Sequence, residues 1–225
     1  PKPSSAASDV YKRQGFGATS TTILVMLAGL GPAAASAVVH TAELGTTLAS
    51  GVAHWRFGNV DWKVVARIGV PGAIGAFIGA TVLANLSTEA AQPVMSLILA
   101  LIGLNLMIRF SRGLTQRKLE TQPHSTQFLG GLGLFGGFVD ATGGGGWGPV
   151  TTSTLLAAGR SEPRRIVGTV NTAEFLVTAA ATAGFAIGMW HDLVANLAAV
   201  LALLAGGMVA APIGAWLVSR LNPIP

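Results

Sequence analysis

GFGATSTTILVMLAGLGPAAASAVVHTAELGTTLA (residues 15–49) and GWGPVTTSTLLAAGRSEPRRIVGTVNTAEFLVTAA (residues 146–180) align without a gap, each position of the first lying 131 residues before its counterpart. Gly15, Gly17, Thr21, Pro32, Thr41, Ala42, Glu43 and Thr47 meet Gly146, Gly148, Thr152, Pro163, Thr172, Ala173, Glu174 and Thr178. Further on, Ile74-Gly75-Ala76-Phe77 returns as Ile213-Gly214-Ala215-Trp216. The duplication therefore extends over most of both halves. A repeat of membrane-length apolar segments points to a transporter.

Composition sets the solvent. The chain has 225 residues, of which 51% are hydrophobic and 10% charged, with 30 glycines and a mean hydropathy of +0.59. That is too apolar for an ordinary soluble domain, so the expected fold is an all-α polytopic membrane protein. Small residues such as Gly69, Gly72, Gly75 and Gly79, all in one span, let helices approach closely in lipid. The net charge of +5 comes from lysines and arginines in short connectors, which fits the positive-inside rule and not a nucleic-acid surface. Cysteine is absent, excluding disulfides and thiolate metal sites. No metal or cofactor is expected.

Four regions follow. Residues 1–14 look like an adapter-derived, non-native leader that stands where a first glycine-rich span is expected, and they are set aside. A first repeat covers 15–110, a basic cytoplasmic loop 111–127 and a second repeat 128–221. Conventional spans of about 20 residues are expected at Ala34 to His54, Ile68 to Leu86, Pro93 to Phe110, Ile166 to Gly188 and Leu193 to Ser219. Gly15 to Leu30, Phe128 to Thr142 and Trp147 to Ala158 are short and glycine-broken. Arg56, Lys63 and Arg67, then Arg109 to Lys118, then Arg160, Arg164 and Arg165 mark cytoplasmic connectors, while Ser87 to Gln92 and Trp190 to Asp192 should face outward. With the connectors before Phe128 and after Ala158 on one side, the stretch between them goes in and returns, and the two repeats are inverted. Reporters at Thr115 and Ser161 should then lie on the same membrane face.

Chemistry concentrates in two places. His40, Glu43, Thr47, Ser50 and His54 recur every three or four residues and form a polar seam on one helix face; Asn171, Glu174 and Thr178 repeat its start. An ionisable group at bilayer depth must face the bundle interior or a wet cavity, so Glu43 and Glu174 are candidates for proton coupling or gating, and His40, Thr47, Asn171 and Thr178 for substrate contact. The second place runs from Asp140 to Pro149. Gly144, Gly145 and Gly146 are expected to leave backbone amides bare at a helix start bearing Thr151 and Thr152, an arrangement that attracts anions. Gly17, Ser20 and Thr21 form the matching start in the first half. Trp147 is placed beside the pathway, Asp140 is a third coupling or gating carboxylate, and Trp55, Trp62 and Trp190 belong to the interfacial belt.

The Asp140 to Pro149 motif, the stretch ending Asn171-Thr172-Ala173-Glu174-Phe175, and the stretch from His40 to Asn59 resemble the sulfite exporter TauE/SafE family of membrane permeases. The resemblance implies a multi-pass inner-membrane permease moving small sulfur-containing anions such as sulfite, sulfoacetate or related organosulfonates by secondary transport. Its partners would be the anion, membrane lipid and protons, with no nucleic acid. An anion channel and a membrane enzyme are the competing classes. Against the enzyme, the chain has no G-x-S-x-G elbow, no H-E-x-x-H pair and no dinucleotide fingerprint.

Overall fold

A computed structural model describes residues 16–111 and 124–220. Every regular element in them is helical. Helix α1 spans Phe16–Met26, α2 Pro32–Arg56, α3 Trp62–Asn85, α4 Thr88–Ser111 and α5 Thr126–Gly143. A π-helical segment, Gly148–Thr152, runs into the short α6, Ser153–Ala158, and α7 (Pro163–Ala195) and α8 (Leu197–Arg220) complete the chain. The leader lies outside the described residues, as does Thr115 of the basic loop.

Among the described residues three helices have both the length and the apolarity to cross a bilayer: Trp62–Asn85, Thr88–Ile108 and Pro163–Ala195. Helix α2 has 25 residues, but its buried seam of His40, Glu43 and Thr47 dilutes the apolar character of that segment. Two expected connectors prove shorter than their composition suggested. Thr88 to Gln92 is already the first turn of α4, so only Leu86 and Ser87 link it to α3. Trp190 to Asp192 is helical, the change of direction falling instead at Met189, whose φ of −136° kinks α7.

Glycines set the packing of α3. A β-carbon on Gly79 would lie 2.8 Å from the Phe138 carbonyl oxygen, and β-carbons on Gly75 and Gly137 would collide with the carbonyls of Leu134 and Gly72. Helices α3 and α5 thus touch backbone to backbone. Ile68 meets Gly133 and Gly72 meets Gly137, while Gly69 meets Ala173 and Ala80 meets Gly184. Contact order rises together along each pair, so α3, α5 and α7 run parallel.

Helix α2 runs the other way. Thr47 meets Thr178, Ser50 meets Asn171 and Gly51 meets Thr172, an antiparallel crossing of the two repeat-related helices. At the α2–α3 turn, Asp61 caps α3 by accepting from the amides of Lys63 and Val64, pairs with Arg165 at 3.3 Å, and donates its own amide to the Thr169 hydroxyl. This fixes the Asn59–Asp61 connector and the start of α7 on one face of the molecule. Because α5 enters parallel to α3 and the chain is back at Pro163 on that same face, α5 and the π/α6 limb form a hairpin.

His124 and Arg160 stand at the two ends of this hairpin and interact electrostatically. Burial, and then the nearby guanidinium, hold the His124 imidazole below its ordinary value of 6.5. Folding therefore favours the neutral ring, and the expected NMR titration midpoint lies below 6.5. Arg160→Gln should move it upward. A midpoint at or above the ordinary value, unmoved by the substitution, would separate the hairpin's ends.

Candidate functional site

Asp140 organises the break between α5 and the π segment. Gly144 caps the C-terminus of α5 with a left-handed φ of 69°, and Gly145 follows at φ 139°; both conformations suit glycine. The turn lets one residue collect the loop's amides. Gly144 and Gly145 donate to the Asp140 carbonyl, and Gly146 and Trp147 donate to its carboxylate at 2.6 and 2.8 Å. The amides expected to be bare for an anion are thus held by Asp140, Gly144 and Gly145 by its backbone carbonyl and Gly146 by its carboxylate, an internal cap of the kind that satisfies a helix start.

The other carboxylate oxygen of Asp140 faces His40 Nε2 at 3.2 Å. His40 donates from Nδ1 to the Ser36 carbonyl at 2.9 Å, its ring is fully buried and it lies 6.1 Å from the Phe185 ring centroid. Ser36 in turn donates to the Ala141 carbonyl at 2.7 Å. Both His40 nitrogens are engaged, so this candidate substrate ligand serves as a clamp between α2 and the break. Ser36 was missed in the sequence. It stands one helical turn before His40 and extends the seam, which was the available signal.

The two glycine motifs meet directly. A β-carbon on Gly17 would lie 2.8 Å from Glu43 Oε1 and 2.9 Å from the Gly145 α-carbon. Thr21 donates to the Gly144 carbonyl. Ser20 and Thr21 are buried, so the start of α1 seals against the second repeat's break, with the Glu43 carboxyl at the junction. Glu174 lies close enough to Glu43 and Asp140 to interact with both electrostatically.

Around this junction the hydroxyls divide. Thr47 and Thr178, equivalent residues of the two repeats, approach to 3.4 Å, yet each donates within its own helix, to the carbonyls of Glu43 and Glu174. Thr151 and Ser153 donate to the carbonyls of Trp147 and Pro149. Pro149 brings no amide hydrogen, and such hydroxyl back-bonds occupy the carbonyls of an irregular helix start. Thr152, counterpart of Thr21, is fully buried and its hydroxyl has no partner among the described residues. Asn171 is half-buried and donates to Ser50 Oγ at a long 3.4 Å. Trp147, expected beside the pathway, is wholly buried: its Nε1 donates to the Val170 carbonyl at 3.1 Å and its ring fills the space that Gly72 leaves.

The comparisons with known proteins agree with this architecture. The profile of the family described as sulfite exporter TauE/SafE matches residues 14–224. The chain is 49% identical over 213 residues to the probable membrane transporter protein YtnM of Bacillus subtilis (strain 168), an alignment covering 92% of this chain and 69% of that relative. No solved structure matches the chain. Transport across a membrane, not enzymatic conversion, is what family and relative have in common, and on these matches the chain belongs to the sulfite exporter TauE/SafE family.

Proposed function

We propose that the two repeats stand inverted in the inner membrane as a multi-pass secondary transporter of small sulfur-containing anions, sulfite, sulfoacetate or related organosulfonates, with Glu43 and Glu174 coupling protons or gating. The observation that carries the reading is the antiparallel crossing at Thr47 and Thr178, where positions equivalent in the duplication meet. Such a crossing puts a local two-fold axis between α2 and α7, and the two glutamates, each one turn from it, face a common interior. A pair of repeat-related half-sites about a shared axis is the arrangement that alternating access uses.

The anion's contacts in this reading come from groups with hydrogen-bonding capacity to spare. Thr152 has a buried hydroxyl with no partner among the described residues, Asn171 makes one long bond, and Ser20 is a buried hydroxyl of the α1 start. The Gly144 to Trp147 amides are already satisfied by Asp140. His40 and Asp140 act by holding the break in place.

Flux in reconstituted vesicles tests the proposal. Labelled sulfite uptake should saturate and respond to an imposed pH gradient. Glu43→Gln and Glu174→Gln should retain helix content and sulfite-dependent flux while losing roughly 100-fold or more of the pH-driven component, by analogy with removing a positioned proton carrier. Uptake that never saturates would indicate a channel, and pH dependence unchanged in both variants would remove the glutamates from coupling.

A further inference from the structure

A cleft lies between the C-terminal half of α2, the start of α3 and α7. Its volume is about 200 Å³. Buried Thr47 and Val65 lie at its inner end, Val52 and Leu176 form exposed walls, and Trp55 and Trp62, 60% and 55% exposed, stand at the lip. The lining is almost wholly carbon, so the cleft suits an apolar ligand and not a hydrated anion.

The charges at the lip specify which ligand. Arg56 and Lys63 directly follow the two lip tryptophans in sequence, and Arg67 lies one turn beyond Lys63 on α3; all three are exposed, and among the described residues none pairs with an acidic side chain. The neighbouring arginines differ: Arg164 pairs with Glu162, and Arg165 with Asp61. An apolar slot at membrane depth, tryptophans at headgroup level and unpaired cations above them match one molecule, with an acyl chain, an interfacial glycerol region and a negative phosphate.

We propose that this cleft is a binding site for an anionic phospholipid of the leaflet bordering the Arg56–Lys63 connector, one acyl chain lying between α2 and α7 and the headgroup against Arg56 and Lys63. The chain would reach Thr47, at the crossing of the two repeat-related helices, so the lipid would contact both repeats at once.

Native mass spectrometry of the purified full chain with phosphatidylglycerol and phosphatidylethanolamine of matched acyl chains tests this. Phosphatidylglycerol should be preferred by about five-fold per cation engaged. The double variant Arg56→Gln/Lys63→Gln should equalise the two lipids, and Val52→Trp, filling the cleft from its exposed wall, should reduce retention of both. Quenching of the native tryptophans by phosphatidylglycerol brominated on its acyl chains needs no substitution, and should exceed that by the brominated phosphatidylethanolamine. Equal retention of both lipids by the native chain, a preference that survives the double variant, or undiminished lipid retention by Val52→Trp would overturn the proposal. So would rapid disulfide dimerisation of Leu176→Cys in a chain that has no other cysteine, which would make a second copy the occupant.

Discussion

Asp140→Ala is expected to cost about 3–5 kcal/mol of stability, because it strips two buried amides and a buried imidazole of their shared acceptor in one step. The carboxylate accepts from Gly146 and Trp147 and faces His40. Water has little access, since His40 and Trp147 are fully buried. For a chain of this size the loss corresponds to a fall of roughly 10 °C in melting temperature. Asp140→Asn should fall much less. Its amide oxygen can still accept from the two backbone groups, and its NH₂ can donate to an unprotonated His40 Nε2 while the Nδ1 hydrogen stays on the Ser36 carbonyl. Thermal unfolding in detergent micelles ranks the two. An alanine variant as stable as the native chain, or an asparagine variant no better than alanine, would mean that the break does not depend on this carboxylate.

That ranking also marks where the sequence stops being informative. The duplication, the glycine-rich segments and the burial of Glu43 are each legible because they follow from hydropathy, spacing or backbone geometry. The destination of a polar group is not. Gly144 to Trp147 read as bare amides until the chain closes and Asp140, four to seven residues earlier, turns back onto them. Thr151 and Ser153 could serve a ligand or their own helix equally well by spacing, and the structure commits both to backbone carbonyls. Trp147 carries the same ambiguity: an aromatic in a glycine motif can line a path or plug a core, and only the hollow left by Gly72 on another helix decides between them. The kink at Met189 follows Gly188, but in a chain with 30 glycines nothing in the sequence singles that one out.

Gly145→Ala should be as damaging as the loss of Asp140, for a steric reason. At φ 139° the backbone occupies a region that is essentially restricted to glycine, costing a side-chain-bearing residue about 1–3 kcal/mol. The added β-carbon would also run into the amide nitrogen of Ala18 and the backbone of Gly17. Neither neighbour is the end of a flexible side chain, so relief requires α1 to move away from the break. Moving it would open the junction that encloses Glu43. Gly17→Ala tests the same contact from the other side, its β-carbon meeting Glu43 Oε1 and the Gly145 α-carbon. Gly130→Ala is the matched control: it lies within α5, its β-carbon would meet no other helix among the described residues, and it should be neutral or stabilising by up to about 1 kcal/mol. Melting temperature and monodispersity on size exclusion should separate Gly145→Ala and Gly17→Ala from the native chain, with Gly130→Ala on the native side. If Gly145→Ala behaves like Gly130→Ala, the two glycine motifs are not in backbone contact, and the repeats do not close on one another at Glu43.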